Sequence, residues 1–439
     1  MNEEVLAVTK NKDSSLTKKL QHAVLLSAGN ICRDKQVFFS HLFYDNFTPT
    51  MDKPLRDSKP QKETLFESWV YRIPALLFER ESKTLLAFAE QRRSEDDSNA
   101  KNLVVKKGKL KKDKISDVRT IEWSDFKPLN KARFEGHRSM NPCPVYDKTQ
   151  KTLFLFFICV EGTVSEGWQR KHYTNKAHLC YITSKDLGET WSRLTDLTDQ
   201  LGEIKTWATF AVGPGHGLQT ESGRLIVPTY AYTSSCSSCL SCDKCKCNAP
   251  YALPLYSDDS GQTWKFGKML QKESIECEMA EFFDDKDKSF IYCNARTRGG
   301  HREEAVSEST GKDFSILSSA EKLVETGSGC QGSVVSFPAQ NEGAGDDPSQ
   351  NKNKWLLFTH PSDKSKRTKL GVYLNKSPGD PNAWSKPWII NEGPSGYSDL
   401  AYIGDGWFVC LMECGEKKET EQIASVVFSY NKVNQGIGE

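Results

Sequence analysis

Ser184-Lys185-Asp186-Leu187-Gly188-Glu189-Thr190-Trp191 recurs later in the chain as Ser257-Asp258-Asp259-Ser260-Gly261-Gln262-Thr263-Trp264, a shared S-x-D-x-G-x-T-W. Asp and Gly two positions apart make a tight turn, with the glycine free to take a positive φ. The Ser, Asp and Thr side chains can bond the turn backbone, and the Trp can pack beneath it. A decayed third copy reads Ser307-Glu308-Ser309-Thr310-Gly311-Lys312-Asp313-Phe314. Between and around these turns lie short apolar runs rich in β-branched and aromatic residues. They include Thr84 to Ala89, Leu153 to Val160, Leu179 to Thr183, Leu225 to Val227, Phe290 to Cys293, Ser333 to Phe337, Trp355 to Phe358, Trp407 to Met412 and Ile423 to Phe428. They have the length and composition of strands, and no long helical period separates them, which argues against a βαβ sheet. Repeated hairpin turns with a packed aromatic point to an all-β chain built from the blades of a propeller.

Composition narrows the function classes. The formal charge is +1 over 439 residues, so no global field argues for nucleic acid or an acidic partner. No apolar run approaches the ~18 residues of a membrane span. Met1-Asn2-Glu3-Glu4 starts acidic and the apolar run Ala23 to Leu26 is too short for a secretory leader, so the chain reads as unsecreted. Of the 14 cysteines, the nine scattered singly, Cys159, Cys180, Cys293 and Cys410 among them, then read as buried thiols rather than disulfides.

Residues 1–62 form an N-terminal extension, partly helical (Leu16, Leu20 and Val24 at helical spacing) or disordered, followed by the repeat-built domain over 63–432 and a tail over 433–439. Within the domain, Cys236, Cys239, Cys242, Cys245 and Cys247 crowd a loop over 233–250. It reads first as a variable surface loop, then as an S-acylation site, then as a metal site. A polar insertion over 339–354 reads as disordered. The lysine run Lys106 to Lys112 reads as a solvated hairpin turning at Gly108, with contact to anionic lipid or an import-like patch as alternatives.

Tyr71-Arg72-Ile73-Pro74 opens the apolar run Ala75 to Phe78. A proline after an apolar residue is expected to hold Ile73 extended and to end strand pairing, leaving Arg72 at a strand mouth. A guanidinium fork held there suits bidentate capture of a carboxylate.

The repeats resemble the Asp-box turns of sialidases, and Tyr71-Arg72-Ile73-Pro74 resembles that family's (F/Y)RIP motif. Further segments are similar to the vertebrate intracellular and membrane-associated sialidases: Ala89-Glu90-Gln91-Arg92, His137 to Pro144, Trp207 to Gly217, Gly329-Cys330-Gln331-Gly332-Ser333 and Gly396-Tyr397-Ser398-Asp399-Leu400. The resemblance runs from about Leu65 to about Tyr430. Pro387-Trp388-Ile389 and Cys410 to Ile423 most resemble the ganglioside-type branch. It implies a six-bladed β-propeller with the site at its central mouth. The implied activity is a retaining exo-α-sialidase, needing neither metal nor organic cofactor, that acts on a sialylated glycolipid or oligosaccharide. It further implies peripheral association with membranes, the alternative being a cytosolic protein; oligomeric state stays open.

The same resemblance assigns roles. Arg72, Arg296 and Arg367 match the three guanidiniums that bind the sialic acid carboxylate. Tyr397 matches the nucleophile and Glu276 its base, with Glu281 the alternative close in sequence. A neutral phenol avoids the repulsion an anionic nucleophile would meet from that carboxylate, and sialidases are the known tyrosine exception among glycosidases. Asp97 matches the general acid/base, with Asp96 beside it; its need to be protonated implies a preference for mildly acid pH. Arg92 matches a contact to the sugar ring oxygens, Met140 and Asn141 the N-acetyl side, Glu166, expected on a loop after the strand Leu153 to Val160, another sugar-side acid, and Tyr230 and Tyr232 glycerol-chain contacts. Two rivals remain: a catalytically silent sialoside-binding propeller, which would lack the nucleophile or the acid, and a scaffold for protein partners, which would need no matched arginines.

Overall fold

The computed structural model describes residues 60–113, 118–233, 249–318, 320–340 and 352–438. They belong to the compact unit Lys59–Glu439. The expected N-terminal helix and the five-cysteine loop lie outside the described residues, as does most of the polar insertion.

The unit is all-β apart from short helices, and its antiparallel sheets are arranged as blades. In chain order, the first sheet holds Val70–Glu79, Thr84–Arg92, Ala100–Lys112 and Arg119–Trp123, with Lys127–Pro128 at its side. The second holds His137–Asp147, Thr152–Glu161, Ala177–Ser184 and Thr195–Asp196. The third is built on Trp207–Val212, Leu225–Thr233 and Pro250–Ser257, and the fourth on Cys277–Phe283, Ser289–Ala295 and Glu303–Ser307. The last sheet is seven-stranded and runs from Ser333–Pro338 through the 17-residue strand Trp388–Gly404 to Gln422–Ser429. Its outer member is Lys62–Phe66, so the earliest described strand pairs with the latest and closes the ring.

Sheets stacked face to face bury both surfaces of their middle strands, which explains apolar runs without alternation. Leu153 to Val160 is buried along its whole length. Most of the apolar cores bridge neighbouring sheets, and one fills the fold of the seven-stranded sheet itself. One joins Leu86 and Phe88 to Leu155 and Phe157, the next joins Phe154 and Phe156 to Trp207 and Trp264, and another joins Leu76 and Leu85 to Val409 and Leu411.

The repeated turns are built as their residues dictate. Ser184 Oγ accepts from the Gly188 amide (2.8 Å) and Asp186 Oδ1 from the Thr190 amide (2.9 Å); Ser257 and Asp259 repeat both bonds at 2.8 Å. Gly188 and Gly261 both sit at φ +84. In the decayed copy Ser307 still accepts from Gly311 (2.9 Å), and Phe314 takes the buried aromatic position. These turns lie at the end of the sheets opposite the N-termini of the inner strands.

Three local expectations need correction. Gly108 does not turn a hairpin; it lies inside Ala100–Lys112, where a Cβ would come 2.6 Å from Ile121 and 2.8 Å from Trp123 of the neighbouring strand. Pro74 does not end its strand either. Val70–Glu79 runs through it, absorbing the proline in an irregularity between Arg72 and Ala75. Ile73 is left-handed (φ +58), not extended. Several drawn boundaries also fall inside elements: Lys62 already belongs to the strand Lys62–Phe66, Thr233 ends a strand, Pro250 and Lys354 each begin one, and a helix over Tyr430–Ile437 spans residue 433 and buries Val433 and Ile437.

Candidate active site

The inner strands begin at one end of the ring, and the side chains there converge on Tyr397. This tyrosine sits in the middle of Trp388–Gly404 and is 6% exposed. Its hydroxyl donates to Glu276 Oε1 and accepts from Arg296 Nη1 at 3.0 Å. Arg296 Nη1 also reaches Glu276 Oε2 at 2.8 Å. The other two guanidiniums flank the ring, Arg72 at 5.2 Å and Arg367 at 5.3 Å from its centroid. Residues from distant parts of the sequence are therefore in one place, as expected. Burial raises the Tyr397 hydroxyl well above the ordinary phenol range and the Glu276 charge adds to this, while Arg296, Arg367 and Arg72 pull it back. The resting group is a neutral phenol.

Glu281, the alternative base, is excluded by position. It accepts from Ser289 Oγ (2.7 Å) and the Glu221 amide (2.8 Å), five residues further along the strand from the cluster.

Asp96 and Asp97 are separated by their jobs. Asp96 caps the short 3-10 turn Asp97–Asn99, accepting from the Ser98 amide (2.8 Å) and hydroxyl (2.7 Å). Asp97 is half-buried, and its charge acts on both Arg138 and Glu166 across the mouth. Arg138 supports this rim: it donates to the carbonyls of Asp97 (3.2 Å), Gly162 (2.8 Å) and Val164 (2.6 Å).

Glu166 is not on a loop. It is the first residue of the helix Glu166–His172, which Ser165 caps. Burial raises its carboxyl above the ordinary range, with Arg170 opposing and Glu276 adding to the rise. Tyr230 Oη lies 3.5 Å from it, and Arg170 covers the ring of Tyr232 at 4.3 Å. Arg92 is held by Glu90 (Nε to Oε2, 2.8 Å), whose other oxygen accepts from the Asn141 amide (2.6 Å). Met140 is buried beside Asn141, which takes φ +57.

Sequence reasoning missed Glu413. Its carboxylate, fully buried, accepts from Arg72 Nε (2.7 Å), the Ile73 amide (2.9 Å) and the Tyr397 amide (3.1 Å). An acid inside the otherwise apolar strand Trp407–Cys414 was the available signal, because a buried charge needs a partner. Glu90 was passed over in the same way.

Deeper in the ring, His216, Glu278 and Asp399 bring metal-ligand atoms within 4.8 Å of one another. Protein donors already fill these carboxylates. Asp399 Oδ1 lies 2.7 Å from His216 Nδ1 and 2.9 Å from Ser333 Oγ. Glu278 Oε2 lies 2.8 Å from the same hydroxyl, whose one proton serves one of the two acids, and accepts from the Val334 amide (3.0 Å). Burial, with the Asp399 charge adding, drives the Glu278 carboxyl well above its ordinary range. The donor set fits a proton held between two acids better than a cation.

A ring of antiparallel blades with three guanidiniums around a carboxylate-bonded tyrosine defines a glycosidase-type propeller. The family model described as a BNR repeat-like domain matches residues 83–410. Sialidase-3 of Rattus norvegicus is 43% identical over 393 residues, covering 83% of this chain and 92% of that protein. Sialidase-2 of Mus musculus is 44% identical over 372 residues, covering 82% and 93%. The chain belongs to the vertebrate sialidase family. Among solved structures, the fold is similar to Hadza microbial sialidase Hz136 (TM-score 0.65, 20% identity, 83% of this chain and 66% of that one). It is also similar to the intramolecular trans-sialidase from Ruminococcus gnavus (TM-score 0.61, 16% identity, 85% and 98%).

Proposed function

We propose that this chain is a retaining exo-α-sialidase that releases terminal sialic acid from glycoconjugates through a tyrosine nucleophile. The observation that carries the reading is the Tyr397 hydroxyl bonded to Glu276 beneath Arg72, Arg296 and Arg367. The three cations bind the substrate carboxylate and hold C2 over the phenol. Tyr397 Oη attacks C2 and passes its proton to Glu276 as Asp97 protonates the departing glycosidic oxygen. In the second step Asp97 takes a proton from water, the water oxygen bonds to C2, and the Tyr397–C2 bond breaks with return of the phenol proton from Glu276. Two displacements retain the anomeric configuration.

The arrangement is read as six blades. The seven-stranded sheet counts as two four-stranded units that share Trp388–Gly404, and six apolar cores alternate with the units around the ring. The substrates are read as gangliosides met at a membrane surface, where the protein is peripheral. Trp69, Trp168 and Tyr173, at 47%, 40% and 49% exposure, stand on segments joining the strand ends that carry the site. Such rings suit the interfacial region of a bilayer. Among the described residues no helix is long and apolar enough to cross a membrane.

The test is release of sialic acid from a fluorogenic aryl sialoside at mildly acid pH, with the first anomer formed read by NMR. The wild type is expected to be active and to give the α-anomer first, and Tyr397→Phe to lose at least about 10²-fold in kcat. An inactive wild type, or a fully active Tyr397→Phe, overturns the reading.

A further inference from the structure

Behind the guanidiniums, the hydrogen bonds converge on one buried acid, Glu325, which is 1% exposed. Its Oε1 accepts from the amides of Thr326 (3.0 Å) and Cys330 (3.1 Å) and lies 2.8 Å from His360 Nε2. Its Oε2 accepts from Arg302 Nη1 (2.9 Å) and the Thr297 amide (3.3 Å). Arg302, also buried, donates through Nε to Asn294 Oδ1 at 2.8 Å. The carboxylate thus gathers the backbone on both sides of two loops. One follows Arg296; the other is the turn 326–330.

That turn is the surface against which two of the site's arginines lie. Ser328 O accepts from Arg296 Nη2 (3.1 Å) and Gly329 O from Arg367 Nη2 (2.9 Å). Gly329 takes φ +93, and a Cβ there would come 2.3 Å from Thr297 O and 2.6 Å from Arg296 Nε, so backbone and guanidinium are packed flush. Two further bonds tie the turn to the loop that carries Arg367: Thr326 Oγ1 to Lys366 O (2.7 Å) and the Gly327 amide to Lys364 O (3.0 Å).

A charge set this deep is a costly way to fill space, because apolar residues of like volume stabilise as well or better. Its worth lies in direction: one acid fixes four donors in one geometry, with His360 packed against it. We infer that Glu325, locked by Arg302 and His360, is the positioning residue for Arg296 and Arg367, shaping the 326–330 turn so that its carbonyls aim both forks at one substrate carboxylate. The inference rests on the reading of these arginines as a carboxylate clamp.

The experiment compares two ligands by calorimetry: a non-hydrolysable 2,3-unsaturated sialic acid analogue as the free acid, and the same compound as its C1 methyl ester. Wild-type protein is expected to prefer the acid by about 100-fold, the scale of paired charge-assisted bonds. Glu325→Gln keeps the shape but drops the charge, and is expected to cut that preference about tenfold while leaving ester affinity within about threefold. A merely structural role would weaken both ligands alike, and that result, or an unchanged preference, overturns the inference. If Glu325→Gln does not fold, Thr326→Val carries the test; it removes only the hydroxyl bond to Lys366 and is expected to shrink the preference by about threefold, so an unchanged preference again overturns it. A wild type without acid preference would instead overturn the clamp reading, and the inference with it.

Discussion

Glu413 Oε1 accepts from the Arg72 side chain at 2.7 Å and from the Ile73 amide at 2.9 Å, while its second oxygen takes the Tyr397 amide at 3.1 Å. One buried carboxylate therefore sets both an arm of the clamp and the strand that presents the phenol. Glu413→Gln keeps one acceptor oxygen, turns an NH2 donor toward the amide or guanidinium that the other oxygen served, and leaves the Arg72 charge without its carboxylate. Breaking a buried pair from one side costs about 3–5 kcal/mol. The expected outcome is a fall of several degrees in Tm together with a loss in kcat/KM of at least about 10²-fold, shared between kcat and KM because Arg72 and Tyr397 are both displaced. A variant that loses stability but keeps wild-type kinetics would show that Glu413 serves the fold alone.

The residues that gather around Tyr397 were legible through the resemblance of their segments to those of the sialidase family. Arg72, Arg296, Arg367, Glu276 and Tyr397 meet as the motifs imply. What escaped was set by partners distant in sequence. Ile73 reads as extended because proline disfavours a helix before it, yet a bond to an acid 340 positions away and packing against Cys330 and Tyr397 hold it at φ +58. Gly108 reads as a turn in a run of lysines until Ile121 and Trp123 of the next strand occupy the space a side chain would need. Glu166 reads as a loop acid; only Ser165 capping Trp168 makes it a helix start.

Arg296 has the most demanding position in the site, since one terminal nitrogen serves Glu276 and Tyr397 while the other is fixed by Ser328 O. Lysine carries the charge without the fork. Arg296→Lys is expected to raise KM about tenfold or more and to lower kcat as well, because the phenol loses a directed donor. A rise in KM with kcat unchanged, measured on the aryl sialoside, would show that Arg296 contributes to binding only.

Gly215 stands at φ +111, and a Cβ there would lie 1.6 Å from Glu278 Oε1. That carboxylate cannot retreat, being bonded to Ser333, Val334 and Gln331. Gly215→Ala combines a disfavoured backbone conformation with a clash against a fully bonded acid, and is expected to cost at least about 3 kcal/mol. Thermal unfolding checks it. Gly223→Ala is the control, with φ +92 and nothing within 4 Å, and is expected to show the backbone penalty alone.

Glu304 gives the fold a pH dependence separate from catalysis. It lies between the fourth sheet and the next, where Oε2 accepts from Tyr292 Oη (2.5 Å) and Trp384 Nε1 (2.8 Å). Burial raises its carboxyl from about 4.5 to about 7, and the two donors oppose the rise. Between those values the folded protein holds a proton that the unfolded chain has released. Its contribution is therefore full below about pH 4.5, falls as pH rises, and is gone above about pH 7. At ~1.4 kcal/mol per unit the change amounts to about 3 kcal/mol. Glu304→Gln removes the titration while keeping an acceptor for Tyr292 and Trp384. The difference in Tm between variant and wild type is expected to move in the variant's favour by several degrees from pH 5 to pH 8. A difference that stays constant across that range would mean that Glu304 does not change protonation between the folded and unfolded states.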